Sequence, residues 1–407
     1  MIRNLKIKQV LSLIFILFPF GFITGPFLSD FLLSALGIFF LYLTIKFRLY
    51  QNYNNLFIKF SFLFFLLIII SGFLSNDLYS SLIGYDGPIF FFRNIIFIIG
   101  VVYFFNFNEK YLKKIYISFF AVITFVIFDA IFQFIFGSNL FGMKSLDYNR
   151  LTGIFGKEQI LGHFLSYAFP ILFTLYLFFY NNFSKRGYLF GLYCLVILLV
   201  TFISGDRTGF LKLFIFLFIS GFIINEFRKF FLILFFLSIT FIFIFINFNE
   251  KSSIRLNDTI RDISLNKSKL PISSGHEDLY LSGFRIFQDY PIIGAGPQMY
   301  RVLCPSNSDY SVNGVCTTHV HNYYIQTLSE LGIFGLLFLI FFYLSLVINF
   351  LKKLFISKKN YPLLCINLHL LISFLPIISH FNFYNNWVNP LLALSLGIYF
   401  FLNQKIK

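Results

Sequence analysis

Twelve apolar runs separated by polar stretches occupy most of this 407-residue chain. They cover 10–24, 27–45, 56–74, 88–105, 114–137, 159–180, 188–203, 210–225, 229–247, 322–350, 362–380 and 387–402. A helix needs about 20 apolar residues to cross a bilayer, and most of the runs approach that length, the first and seventh falling short. Hydrocarbon admits only helices or closed barrels, because every peptide group must find its partner inside the protein. Continuous runs without alternation select the helix. Charged residues make up 12% of the chain, whereas soluble domains carry about 25%, so this chain cannot cover a soluble surface of its size. The expectation is an all-α polytopic membrane protein with about 12 transmembrane helices and one large loop. Its divisions are 1–247 for the first nine spans, 248–321 for the loop and 322–407 for the last three. No cleavable signal peptide is evident, and the first run reads as a retained helix.

The net charge is +15, which invites a nucleic-acid reading that the placement of the charges excludes. Nineteen of the 32 Lys and Arg fall in every second connection or at a terminus, among them Lys46, Arg48, Lys110, Lys113, Lys114, Lys352 and Lys353. The short intervening connections hold only Lys144, Arg150, Lys157 and Arg207. By the positive-inside rule both termini are cytoplasmic, and the basic excess is a topology signal that also attracts anionic membrane lipids.

Loop 248–321 then lies outside. It carries seven basic and seven acidic residues, with a helix expected near 277–288. Cys304 and Cys316 share it, and an oxidising compartment favours pairing them. Cys194 and Cys365 lie in apolar runs and read as small core residues.

Ionisable groups inside apolar runs are functional candidates by default. Arg93 and Asp129 are such groups and could pair, with Gln133 one turn beyond Asp129. Arg207, in the tight turn ISGDRTGF, and Arg150, at the start of RLTGIFGKEQILGHFL, lie near the outer headgroup plane. A guanidinium fits phosphate oxygens through two parallel hydrogen bonds and keeps its charge. The densest cluster is THVHNYYIQTLSELGIFG, with His319 and His321 at the membrane entry and Asn322, Gln326 and Ser329 on one helix face. Histidine accepts a proton near neutral pH. His319 and His321 could share a metal, but Glu330 is two to three turns away and no third ligand is obvious, so no metal site is expected.

These pieces, together with DYPIIGAGPQMYR in the loop, resemble the O-antigen ligase and O-antigen polymerase family of bacterial inner-membrane glycosyltransferases. HVHNYYIQTLSELGIFGLL is the most specific of them, and the resemblance runs from about residue 150 onward. It implies transfer of a glycan from an undecaprenyl-pyrophosphate carrier to a lipid or glycan acceptor at the periplasmic face, by a metal-independent inverting reaction without a cofactor. It assigns His321 as base for the acceptor hydroxyl and Arg207 as pyrophosphate ligand; from their position at the same face, Arg150, His319 and Asn322 are expected as further substrate contacts. Many members carry an Arg where this chain has His276, so the missing charge falls to a protonated His276, Arg285 or Arg301. Glu158-Gln159 stands where many carry Asn.

Two other readings compete. A transporter or lipid-linked oligosaccharide flippase would place its polar groups at midplane in repeated halves; here they gather at one face and no repeat is visible. A metal-dependent transferase wants clustered acids in an early outer loop, and Asp77 and Asp86 are nine residues apart.

Overall fold

A computed structural model describes residues 5–145, 150–180, 185–225, 228–248, 274–356 and 360–405. The first part of the long loop, 249–273, lies outside them. The fold is all-helical, with no strand among the described residues. In chain order the helices are α1 (Leu5–Gly21), α2 (Pro26–Phe47), α3 (Leu56–Phe73), α4 (Phe92–Phe107), α5 (Lys110–Phe136), α6 (Leu161–Phe179), α7 (Lys185–Ile203), α8 (Arg207–Ile223) and α9 (Arg228–Phe248). After the loop's first part come α10 (Ser274–Asp289), α11 (Tyr300–Ser306), α12 (Tyr323–Leu354), α13 (Tyr361–Ser373) and α14 (Val388–Gln404).

Among the described residues, six segments are long and apolar enough to cross a membrane: α2, α3, Pro88–Phe107, α5, α6 and α12. Shorter apolar stretches lie in α1, α7, α9, α13 and α14. A helix that is apolar on every side must be central. That is α6, buried from Leu161 to Leu177 at every position but His163 and packed by α5, α8 and α13. The outer helices instead turn apolar side chains outward, such as Leu56, Phe73 and Ile45.

Each apolar run contains a helix, but the eleventh stops early. The sequence suggests apolar structure through residue 380, whereas α13 ends at Ser373. Pro376 and the Asn-rich stretch that follows cannot continue it, and residues 374–387 form an irregular hairpin back into the bundle. Arg93 also departs from expectation. It pairs with Asp30 at 2.8 Å and donates to Asn386 Oδ1 at 3.0 Å, rather than pairing with Asp129. Asp129 instead accepts from the Leu140 amide at 2.9 Å.

α12 is broken at Gly332, whose φ of 67° and ψ of −162° leave the helical region. The break frees peptide groups in an apolar surrounding, and the segment Pro291–Gly296 satisfies them. The amides of Ala295 and Gly296 donate to the carbonyls of Ser329 and Glu330, both at 3.0 Å. The Ile333 amide donates to the Pro291 carbonyl at 2.9 Å, and Ser71 Oγ donates to the Glu330 carbonyl at 2.9 Å. The backbones touch so closely that a Cβ on Gly294 would come within 2.2 Å of the Glu330 carbonyl carbon.

This anchor holds the described part of the loop against α12. There α10 buries Leu279 and Ile286 against Met299, Tyr300, Tyr310 and Val320. Cys304 and Cys316 form a disulfide, with Cα atoms 5.8 Å apart.

The anchor gives the first prediction. Gly294→Ala adds overpacking of about 1–3 kcal/mol to the cost of a positive φ. Gly314→Ala meets no atom within 4 Å and carries only the φ cost, about 1–2 kcal/mol. Thermal unfolding in detergent is expected to show a clearly larger loss for Gly294→Ala; equal losses would mean the backbone contact is soft.

A candidate active site at one end of the bundle

Successive transmembrane helices reverse direction, and polar contacts tie the starts of α2, α4, α6, α8, α12 and α14 into one end. Asp30 and Arg93 join α2 to α4. Trp387 Nε1 donates to the Phe22 carbonyl at 2.9 Å, linking α14 to α1. The opposite end holds Lys46, Lys110, Lys352 and Lys353, with Lys405 paired to Glu109.

The imidazoles cluster at the first end. The rings of His319 and His321 lie 4.0 Å apart between centroids, and His276, from α10, lies 5.5 Å from His321. His276 Nε2 is 3.4 Å from Ser379 Oγ. His321 adopts φ 59°, a left-handed conformation uncommon for a residue with a side chain. Its carbonyl accepts from the His380 amide at 2.8 Å, which pins the turn to the hairpin after α13. Asn322 caps α12, its Oδ1 accepting from the amides of Tyr324 and Ile325 at 2.9 and 3.2 Å. Its Nδ2 donates to the Pro376 carbonyl at 2.7 Å.

Burial sets the state of these rings. It pushes His319 down to about 3, with the nearby His321 adding to the effect. It pushes His321 down to about 4, with His276 next in effect. His276 and His380 are lowered by burial as well. The cluster is therefore a set of neutral imidazoles at neutral pH, able to accept hydrogen bonds and protons.

Arginines reach the same end from different elements. Arg207 is the first residue of α8 and is exposed. The preceding Asp206 caps that helix, its Oδ1 accepting from the Gly209 amide at 2.9 Å. Its Oδ2 contacts His163 Nδ1, from the first turn of α6. Arg301 donates through Nε to the Thr318 carbonyl at 3.3 Å, lies 4.0 Å from Asp86 and covers the Tyr85 ring at 4.3 Å. Arg150 donates to Gln159 within its own connection. Arg285 is turned to the carbonyls of Asp309 and Ser311, at 2.9 and 3.1 Å, away from the imidazoles.

Below the rings lies a connected set of buried amides and acids. Asn382 Nδ2 donates to Gln298 Oε1 at 3.0 Å and Asp86 Oδ2 at 3.2 Å. Gln326 Nε2 donates to Asn382 Oδ1 at 2.9 Å and Glu330 Oε2 at 3.2 Å. Burial raises the Asp86 carboxyl, against the pull of Arg301 and Gln298. No group of three or more His, Cys, Asp and Glu with metal-holding geometry is found among the described residues. An apolar space opens between α3, α4, α12 and α14, lined by Phe64, Phe91, Tyr323, Phe338 and Phe383.

The sequence reading passed over four members of this end: His163, Asp206, His380 and Asn382. Two carried usable signals. Asp206 stands three residues before the amide it caps, an N-cap pattern. His163 sits inside an apolar run, where an ionisable group asks for a partner. The same rule singles out Lys212, which is buried in α8 and donates to Tyr167 Oη at 3.0 Å.

No curated protein matches the chain. A family model described as O-antigen ligase matches residues 192–340, the stretch that carries Asp206, Arg207, His276, Arg301, His319, His321 and the broken helix α12. Over residues 192–340 this membrane chain is therefore similar to the O-antigen ligase family.

Proposed function

We propose that this protein moves a glycan from an undecaprenyl-pyrophosphate carrier to an acceptor hydroxyl, as an O-antigen ligase or polymerase at the periplasmic face of the bacterial inner membrane. In this reading the basic end, with Lys46, Lys110 and Lys352, faces the cytoplasm. The three divisions 1–247, 248–321 and 322–407 become a membrane base, a roof and a second membrane part. The observation that supports the reading is that the Arg207 helix start, where Asp206 meets His163, and the turn that carries the neutral ring of His321 belong to the same end of the bundle.

The chemistry follows from charge. As the anomeric carbon leaves its phosphate oxygen, negative charge grows on the departing diphosphate. A guanidinium fixed beside it stabilises that state more than the bound donor. Arg207 takes this role, with Arg150 nearest the adjoining connection and Arg301 beside the imidazoles. Arg301 is a better source of the missing loop charge than His276, whose burial disfavours protonation. The acceptor oxygen attacks from the opposite side, giving inversion, while His321 draws off its proton. His319 and Asn322 border the acceptor, and the carrier's polyprenyl chain occupies the apolar space under Tyr323 and Phe383.

Three outcomes follow. Arg207→Ala and His321→Ala each lower transfer about a hundredfold or more, leaving insertion and abundance unchanged. The assay is transfer in vitro from a synthetic lipid-pyrophosphate glycan, and near-normal transfer by either variant removes that residue from the mechanism. Because guanidinium groups neutralise the leaving diphosphate, wild-type transfer is expected to persist in EDTA; abolition by EDTA restored by a divalent cation would replace this account. Finally, His319 and His321 bind protons more weakly folded than unfolded, so their stabilisation is complete above about pH 6.5 and fades as pH falls toward their folded values. Melting temperature in detergent is expected to drop between pH 7 and pH 5, and to drop less in His319→Asn. An equal drop in both proteins would locate the acid sensitivity elsewhere.

A glycan profile of a deletion strain separates the two activities: one repeat on the acceptor indicates a polymerase, and carrier-linked polymer with a bare acceptor indicates a ligase.

A further inference from the structure

Arg301 is held by residues from a part of the chain that has no role in the reaction as described so far. The connection between α3 and α4 turns sharply at Asp86, whose φ of 51° is a left-handed value uncommon for a residue with a side chain. The turn is fastened through its backbone. Asn386 Nδ2 donates to the Asp86 carbonyl at 3.2 Å, and Asn386 Oδ1 accepts from Arg93, which pairs in turn with Asp30. Across from the turn stands Gln298, left-handed as well at φ 61° and fully buried. It lies two residues after the Gly296 contact that ties the loop to α12, and three before Arg301. Gln298 Nε2 donates to Asp86 Oδ2 at 3.3 Å, and Asn382 Nδ2 donates to the same oxygen at 3.2 Å. Two residues with costly backbones thus meet at one carboxylate oxygen, the kind of arrangement that collects at functional sites.

The guanidinium of Arg301 is enclosed by three contacts. Its Cζ lies 4.3 Å from the centroid of the Tyr85 ring, Nε donates to the Thr318 carbonyl at 3.3 Å, and Nη2 is 4.0 Å from Asp86 Oδ2. Thr318 Oγ1 is 3.1 Å from His319 Nδ1, and the His319 ring neighbours that of His321, so the group is fixed beside the imidazoles. These contacts use the Nε and Nη2 side. Among the described residues Nη1 has no protein acceptor, so the Nη1–Nη2 fork is the part that can meet two phosphate oxygens in parallel. Charge, not hydrogen bonding, is what an aspartate adds at position 86. The oxygen of an asparagine would serve Gln298 and Asn382 equally well. At 4.0 Å the ion pair is too long for a hydrogen bond, so it aligns the guanidinium without saturating it.

We propose that Asp86 and Tyr85 are positioning residues that hold the fork of Arg301 ready for the diphosphate of the donor. This rests on the glycosyl-transfer reading above. Neither residue touches the substrate. Asp86 supplies a fixed counter-charge, and Tyr85 a ring face on which the planar cation rests. Both belong to a part of the chain outside the matched stretch 192–340, so the first four helices contribute to the site through the connection between α3 and α4.

The test uses the full-length protein in detergent. The donor is the lipid-linked glycan extracted from a strain lacking the gene, and membranes of that strain supply the acceptor. Asp86→Asn and Tyr85→Leu are each expected to lower kcat/KM for the donor about tenfold, with acceptor KM unchanged. Arg301→Ala is expected to lower it about a hundredfold. In the Arg301→Ala background the other two substitutions should add no further loss, because they act through the group already removed. A merely structural role would instead multiply with Arg301→Ala, and that result would overturn the proposal. Wild-type kcat/KM for the donor in both single variants would overturn it as well. Tyr85 is 40% exposed, so Tyr85→Leu carries the test by itself if Asp86→Asn loosens the turn. Failure of the wild type to transfer any glycan would overturn the glycosyl-transfer reading and this positioning role with it.

Discussion

A helix broken among apolar neighbours exposes peptide groups that no water can satisfy, and the site of this protein is organised around the repair of such a break. At Gly332 the carbonyls of Ser329 and Glu330 lose their helical donors, and the amides of Ala295 and Gly296 replace them at 3.0 Å. Leaving such groups unpaired would cost several kcal/mol each in this setting, so the loop segment is held in one register. Everything attached to that segment is then placed. α10 brings His276 over the membrane helices, and Arg301 follows five residues after Gly296. The cap at Asn322 starts α12 directly behind His321.

The second constraint is electrostatic. Four imidazoles, from His276, His319, His321 and His380, share a poorly hydrated space, and none of them can hold a proton cheaply beside the others. The positive charge of this end therefore resides in guanidinium groups that do not titrate near neutrality. The proposed division of labour follows from this: arginines to hold anions, and neutral rings to accept protons. A left-handed backbone at His321 costs about 1–2 kcal/mol and is retained because the His380 amide fixes the turn.

Much of this was legible in the sequence, for identifiable reasons. Apolar runs report helices in a membrane protein because hydrocarbon allows little else, and each run contains one. The helix near 277–288 appears as Ser274–Asp289, since its apolar period is intact. What could not be read was pairing at a distance. Arg93 finds Asp30 rather than Asp129 because helix order around the bundle, not position along the chain, decides neighbours. The end of α13 was hidden because Phe374, Leu375 and Ile377 are as apolar as a helix interior, and only Pro376 and the asparagines announce the hairpin. His163 and Asp206, 43 residues apart, meet through a contact between two glycines that leaves no periodic trace.

The Cys304–Cys316 bridge has a bearing on when the protein becomes competent. It closes the chain between Arg301 and His319, the two ends of the loop that face the imidazoles. Such a bond persists only where thiols are oxidised. Maturation of the site is thereby coupled to the redox state of the space the loop occupies. In a chain whose two thiols stay reduced, no covalent bond would tie the helix that follows Arg301 to the segment before His319.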